Sequence, residues 1–111
     1  MNDFNNYFKS RSFSDDIVKE WRLEDYPNQK IAKINYYDVS NNFLYPRCNN
    51  YGEKYKDKVP KYVSPKSEKI PGGHSWLYGL WKIKDLIDIE ELLLAEGEYN
   101  CISAGLWVIL L

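Results

Sequence analysis

The sequence predicts a small α+β domain, in which a mainly antiparallel sheet of about four strands has two helices packed on it. The chain of 111 residues has the length of one domain, covering residues 1–111. Its 44% hydrophobic and 28% charged residues are typical of a globular protein. Stretches with helical spacing of apolar residues are followed by stretches in which apolar and polar residues alternate, so both element types are expected.

The first helix is expected to start at Ser14. Its hydroxyl can cap the helix, and Asp15 and Asp16 follow where the helix dipole favours negative charge. The helix should end before Pro27, because a residue that precedes proline avoids the α conformation. The first dozen residues of the chain show no clear period, so no element is predicted there.

A β-hairpin is expected next. Within residues 30–39, apolar and polar side chains alternate as they do in a half-buried strand. A turn follows at 40–42, and a second strand at 43–45 is expected to stop at Pro46, because proline cannot donate a hydrogen bond within a sheet.

Residues 46–73 are predicted to form a long irregular loop rich in Lys, Tyr and Pro. Four prolines and the Gly72-Gly73 pair interrupt this stretch, although its pattern allows a short strand at 61–63. Irregular loops of this length are uncommon in compact domains and are usually functional or disordered.

Three elements are expected in the C-terminal part. Residues 76–83 are rich in aromatic side chains, which favours a strand. Asp85 then caps the clearest helix of the chain, residues 86–96, which ends at Gly97. Residues 99–111 are almost continuously apolar, and this pattern predicts a strand at the centre of the sheet.

The composition favours a cytoplasmic protein. Cys48 and Cys101 are too few for a disulfide framework, and the N-terminal residues lack the apolar segment of a signal peptide. The apolar end at 106–111 is far shorter than the roughly 20 residues that span a membrane. We therefore expect reduced thiols and no membrane contact.

An enzymatic function would have to involve His74, the only histidine. It follows a Gly-rich turn, where an exposed general base could act, although a histidine in such a turn is more commonly a polar loop residue. No nucleophile lies at a characteristic spacing from it. One histidine and two distant cysteines supply no paired zinc ligands, and no phosphate-binding glycine motif is present. The expectation is no catalytic residue, no metal and no cofactor.

Residues 51–69 contain the basic part of the chain. Positions 54 to 69 contain six lysines and two acids, which gives this stretch a net charge of +4. Three tyrosines are interleaved with the lysines: Tyr51, Tyr55 and Tyr62. Cations beside rings are what single-stranded nucleic acids bind, but the overall charge of −1 and the lack of Arg in this stretch weigh against a dedicated nucleic-acid protein. A solvated loop, a nucleic-acid-binding module and a docking loop for an acidic protein all fit.

The predicted helix at 86–96 is strongly acidic. Between positions 85 and 98 there are six acids and no base, a net charge of −6. Its apolar side should face the sheet, and the opposite side carries Asp85, Asp88, Glu91 and Leu92. A leucine among acids can hold a basic protein partner, whose charge steers the encounter. An ordinary amphipathic helix with a solvated acidic side fits the same pattern.

These observations lead to the hypothesis of a small intracellular protein-binding protein. It would act as a stoichiometric inhibitor or neutraliser of a larger protein, of the toxin-immunity or phage anti-defence kind. Contacts would come from the acidic helix and from Tyr51, Tyr55 and Tyr62. A nucleic-acid-binding module at 51–69 is the alternative, and a small enzyme using His74 is a third. A homodimer also fits, because a small domain with 16% aromatic residues can bury some rings against a copy of itself.

Overall fold

The computed structural model describes residues 3–27, 29–52, 60–83 and 96–110, with side chains through position 104. The helices are α1 (Asp3–Ser10), α2 (Asp15–Glu20), α3 (Leu80–Ile83) and α4 (Glu98–Leu110), and the strands are β1 (Leu23–Tyr26), β2 (Ile31–Tyr37), β3 (Phe43–Asn50) and β4 (Tyr62–Val63). Single 3₁₀ turns lie at Ser67–Lys69 and Pro71–Gly73. The strands form one antiparallel sheet in the order β1-β2-β3-β4, which confirms the predicted α+β class.

Two short helices precede the sheet. In α1, Phe4 and Phe8 lie one turn apart and bury their rings together, with centroids 4.9 Å apart. This helix was not predicted, because its two phenylalanines stand among polar residues. In α2, the Ser14 hydroxyl accepts a hydrogen bond of 3.3 Å from the backbone of Ile17, which confirms the predicted cap.

Helix α2 ends at Glu20, before the limit that Pro27 was predicted to set. Arg22 then adopts the left-handed conformation with φ of 58°, which turns the chain into β1. This four-residue strand was not predicted. It pairs with β2 from Leu23 opposite Ile34.

Strands β2 and β3 form the predicted hairpin. The turn is organised by Asp38, whose carboxylate accepts hydrogen bonds from the backbone of Ser40 at 3.0 Å and of Asn42 at 2.8 Å. These bonds, led by the one from the Asn42 backbone, lower the pKa of Asp38. Asn41, with φ of 72°, takes the left-handed position that asparagine tolerates well.

The prediction that Pro46 would stop the second strand is wrong, because β3 continues through it to Asn50. The backbone N–H of Asn50 donates to the Lys61 carbonyl at 2.7 Å, on the side of β3 where β4 lies. Backbone N–H groups alternate between the two sides of a strand, and residues 46 and 50 are an even number of positions apart. The backbone nitrogen of Pro46 therefore faces the same side as that of Asn50, the side of β4. Strand β4 pairs only with Cys48 and Asn49, so no sheet hydrogen bond is lost at the proline.

The C-terminal segment 99–111 was predicted to be a central strand, and this is wrong. Residues 99–110 belong to helix α4 instead. Tyr99 and Ile102, three residues apart, lie on one side of this helix and are 5% and 0% exposed in the core. The apolar run suits a helix that packs on the sheet as well as a strand within it.

Residues 76–83 were also predicted to be a strand, and this is wrong as well. They form irregular chain followed by the single turn of α3. Gly79 has φ of 90°, and a Cβ there would lie 3.2 Å from the Trp21 ring, so the chain turns sharply against that ring. Tyr78 donates a hydrogen bond to the Trp21 carbonyl, and Trp81 is buried beside it. The rings therefore anchor an irregular segment to the core.

The core is built mainly from aromatic rings. Its buried members are Phe4, Phe8, Phe13, Trp21, Leu23, Ala32, Ile34, Tyr36, Tyr45, Ile70, Trp81, Tyr99 and Ile102. In β2 the expected apolar residues Ala32, Ile34 and Tyr36 are all buried, but Asn35 between them is buried as well, where its amide donates to the Arg22 carbonyl and to Glu24. The predicted acidic helix at 86–96 lies outside the described residues except for its last position.

Candidate functional site

Five half-buried side chains from distant parts of the chain form one group, which we call the tyrosine–arginine cluster: Tyr7, Arg11, Arg47, Tyr51 and Tyr62. Helix α1 supplies the first tyrosine, and Arg11 follows it by four residues. Strand β3 supplies Arg47, the residue after β3 is Tyr51, and β4 supplies Tyr62. The hairpin and the short β4 pairing thus place side chains from three regions of the sequence side by side.

Stacking holds the N-terminal part of the cluster in place. The rings of Tyr7 and Tyr51 are nearly parallel, with centroids 4.5 Å apart and an interplanar angle of 13°. The Arg11 guanidinium carbon lies 4.5 Å from the ring centroid of Tyr99 and 5.3 Å from that of Tyr7. Its Nε also donates a hydrogen bond of 2.9 Å to the Tyr7 hydroxyl. The orientation of Arg11 is therefore fixed by two rings and one hydroxyl.

The second arginine is held in a similar way. The guanidinium carbon of Arg47 lies 4.6 Å from the ring centroid of Tyr62, and the ammonium of Lys61 approaches the same ring at 5.8 Å. The Tyr62 ring in turn lies 6.5 Å from the buried ring of Tyr99. Tyr62 therefore lies between the two cations Arg47 and Lys61 and the buried ring of Tyr99.

A buried polar network forms the base of the cluster. Glu98, the first residue of α4, has only 4% of its side chain exposed. Its Oε2 accepts hydrogen bonds from the Tyr36 hydroxyl at 2.8 Å and from Arg47 Nη1 at 2.7 Å. The Tyr99 hydroxyl donates to Asn49 Oδ1 at 2.7 Å. These contacts attach the start of α4 to β2 and β3.

The pKa values of three phenol groups, one in the cluster and two at its base, are raised. Burial, followed by the nearby Glu98, raises the pKa of Tyr36, and burial raises the pKa of Tyr99. Burial, together with the charges of Asp25 and Asp3, raises the pKa of Tyr51 to about 12. These hydroxyls can therefore act as neutral hydrogen-bond donors.

The two arginines differ in whether a nearby carboxylate balances their positive charge. The charge of Arg47 is balanced by the Glu98 carboxylate at 2.7 Å. Among the described residues, no carboxylate lies within ion-pair distance of Arg11, whose one hydrogen bond goes to a neutral phenol. Within the described part of the chain, Arg11 is thus an ordered cation with no paired carboxylate, at a half-buried position.

The cluster presents hydrogen-bond donors and cations rather than a nucleophile. Both thiols lie elsewhere, and burial raises the pKa of Cys48 and of Cys101, which disfavours the reactive thiolate. Exposed His74 stacks on Trp76, with ring centroids 5.5 Å apart, and its Nδ1 lies 3.1 Å from the Ser75 carbonyl. Within the described ranges, no three His, Cys, Asp or Glu side chains group as metal ligands would.

The structure places two of the predicted partner-binding residues together. Tyr51 and Tyr62 both belong to the cluster, connected through Tyr7 and Tyr99. Five further predicted positions lie outside the described residues: Tyr55, Asp85, Asp88, Glu91 and Leu92.

Sequence reasoning missed Tyr7, Arg11 and Arg47. The spacing of four between the first two residues is a signal for a shared helical side. Their proximity to β3 depends on tertiary packing, which has no local signature in the sequence.

No helix in the described part of the chain is long and apolar enough to cross a membrane. No protein-family model, curated protein or solved structure matches the chain. We therefore infer its role from its own residues.

Proposed function

We propose that the chain is a small protein-binding protein that neutralises a larger protein by stoichiometric contact, in the manner of toxin-immunity and phage anti-defence proteins. The tyrosine–arginine cluster forms part of the contact surface. The observation that carries the proposal is the ordered, half-buried arrangement of three tyrosines and two arginines at one place.

Residue type supports this proposal. Tyr and Arg are enriched among the few residues that supply most of the binding energy in protein interfaces. Tyrosine contributes a large rigid surface with a hydroxyl at its edge, and arginine contributes a planar fork of donors. The cluster combines both types on one surface.

Preorganisation supports it as well. Ordering a flexible side chain on binding costs roughly 0.5–1.5 kcal/mol. In the cluster, stacking already holds Arg11 on Tyr99 and Arg47 on Tyr62, and Tyr7 holds Tyr51. Much of this ordering cost is therefore incurred during folding, so a partner would bind a surface with little freedom left to lose.

The acidic helix remains a second proposed contact. Asp85, Asp88, Glu91 and Leu92 would meet a basic part of the partner, as expected from the net charge of −6 between positions 85 and 98. The proposal for the tyrosine–arginine cluster does not depend on this helix.

The experiment uses the full chain as bait in cells of its source. We expect wild-type protein to recover a single partner in equimolar amount, and Tyr51→Ala to reduce that recovery about tenfold or more. Tyr26→Ala is the matched control, because Tyr26 is 43% exposed on β1 and outside the cluster. Its recovery should equal that of wild type. The activity of the purified partner should fall in proportion to added wild-type protein until the two are equimolar.

Two results would contradict the proposal. One is the absence of any partner at equimolar amount, and the other is equal recovery by wild type and a folded Tyr51→Ala variant. Thermal unfolding of each variant establishes that it is folded. Should Tyr51→Ala fail to fold, Tyr51→Phe keeps the stack on Tyr7 and removes the hydroxyl, and it should still weaken recovery measurably.

A further inference from the structure

The Arg11 guanidinium has a defined direction of hydrogen bonding. Its Nε is used by the Tyr7 hydroxyl, and its flat side is used by the Tyr99 ring. The two terminal nitrogens have no hydrogen-bond partner among the residues that the structure describes. A guanidinium stacked on a ring presents its remaining N–H groups from its edge, in the geometry that a carboxylate accepts.

Other groups around Arg11 favour an anion. Arg47 and Lys61 both approach the Tyr62 ring, at 4.6 and 5.8 Å, and this ring lies 6.5 Å from the Tyr99 ring on which Arg11 stacks. The acids that act on the cluster are located differently. Glu98 is buried and paired with Arg47, and the charges of Asp3 and Asp25 help to raise the pKa of Tyr51. Among the described residues, three cations therefore lie at the rings of Tyr62 and Tyr99, and the one carboxylate bonded to any of them is the buried Glu98.

Stacking within the protein uses one face of each ring in the cluster. Tyr7 and Tyr51 cover each other, and Arg47 covers Tyr62. Recognition of single-stranded nucleic acid needs ring faces on which bases stack. Stacking within the protein competes with such bases, whereas the free guanidinium edge of Arg11 suits a carboxylate.

We propose that Arg11 binds a carboxylate from an acidic segment of the protein partner, with Tyr62 and Lys61 beside it. This inference rests on the proposed function and adds the chemistry of the partner. The acidic segment crosses the cluster at Arg11 and Tyr62 and avoids Asp3 and Asp25, whose charges act on Tyr51. Arg11 binds the carboxylate through the paired N–H donors of its planar guanidinium. A residue that carries only the same charge, such as lysine, therefore does not replace it.

The test is a titration of the full isotope-labelled chain with a short polyglutamate peptide, followed by NMR. The Nε–H signal of Arg11 reports the site directly, because it is bonded to the Tyr7 hydroxyl. We expect saturable shifts at Arg11 and at the backbone of Tyr62, and a Kd that rises about tenfold in Arg11→Ala. Arg11→Lys should weaken binding nearly as much, since an ammonium cannot form the bidentate contact.

Lys19→Ala is the control for loss of one positive charge, because Lys19 is exposed on α2, which contributes no residue to the cluster. Its Kd should stay within about twofold of wild type. An oligothymidylate of similar net charge and a polylysine peptide complete the set, and neither should cause saturable shifts at Arg11.

Several outcomes would overturn the inference. They are the absence of saturable polyglutamate binding, an unchanged Kd in Arg11→Lys, an equal loss in Lys19→Ala, and tighter binding of oligothymidylate than of polyglutamate. The last result would indicate a nucleic-acid site. If polyglutamate does not bind, but Tyr51→Ala still reduces the recovery of a partner, the carboxylate inference is wrong and the proposed function stands. If polyglutamate binds at Arg11 and no stoichiometric partner exists, the proposed function is wrong.

Discussion

The contact between Arg47 and Glu98 allows a quantitative prediction about the base of the cluster. Removing one partner from a fully buried ion pair costs about 3–5 kcal/mol of folding free energy. Here the Glu98 side chain is 4% exposed, but that of Arg47 is 31% exposed, so water can replace part of the contact. Tyr36 also continues to donate to the carboxylate. We therefore expect Arg47→Gln to destabilise the protein by about 2–3 kcal/mol, including the lost stack on Tyr62.

A double-mutant cycle separates the ion pair from the stack. Glu98→Gln keeps the shape of the side chain and an acceptor for Tyr36, so it should cost about 1–2 kcal/mol. The double variant should cost less than the two single variants together, with a coupling energy of about 1–2 kcal/mol for Arg47 and Glu98. The stack of Arg47 on Tyr62 does not contribute to this coupling, because Glu98 takes no part in it.

The assay is urea unfolding followed by tryptophan fluorescence, with the slope m used to detect changes in the unfolded state. The exposed pair of Lys82 and Glu20 is the matched control, since their side chains are 26% and 42% exposed. Lys82→Gln should cost no more than about 1 kcal/mol. A coupling energy near zero, or an Arg47→Gln variant as stable as wild type, would show that the Arg47–Glu98 ion pair does not stabilise the attachment of α4 to β3.

Three further predictions concern the core and the helices. The contribution of three buried phenols to stability should be constant below pH 10 and fall by up to about 4 kcal/mol per pH unit above it, because their raised pKa keeps them protonated in the folded state while their unfolded counterparts ionise: Tyr36, Tyr78 and Tyr99. Urea unfolding at stepwise pH measures this, and a flat profile above pH 10 would contradict it. Ser14→Ala should cost about 1 kcal/mol by removing the cap of α2, and an unchanged urea midpoint would speak against the cap. Ile102→Ala should cost about 2–5 kcal/mol in the same assay, because this side chain is 0% exposed, and a cost below that range would mean that α4 is not packed in the core.

The fold class could be predicted from the sequence, but several elements could not. The hairpin was predictable because its turn chemistry at Asp38 and its alternation up to Tyr36 are local features. Residues 99–111 are apolar on all sides, so periodicity does not distinguish a buried strand from a buried helix. Length is the remaining signal, since the 13 residues of α4 exceed a typical strand and suit a helix.

The structural effects of Pro46 and Gly79 depend on their neighbours in the tertiary structure. Pro46 does not interrupt β3, because its side of the strand has no neighbour at that position. Gly79 breaks the aromatic segment 76–83, because the chain must turn there against Trp21. The sequence shows each residue but not the neighbours that decide its effect.

The candidate site could be predicted only in part. Tyr51 and Tyr62 were selected because rings and lysines are interleaved around them. Arg11 and Arg47 were not, because their environment is created by contacts between α1, β3 and α4, which are distant in sequence. Charge patterning therefore selected two tyrosines that the structure places in the cluster, but not the arginines beside them.

The central claim, that the tyrosine–arginine cluster contacts a protein partner, is tested most directly by site-specific photocrosslinking. A benzophenone amino acid replaces Tyr51 in one sample and Phe43 in another, since Phe43 is 55% exposed on β3 and its ring packs against Tyr37, outside the cluster. We predict a covalent adduct with one partner protein from position 51 and none from position 43. An adduct from position 43 alone, or equal adducts from both positions, would contradict the account.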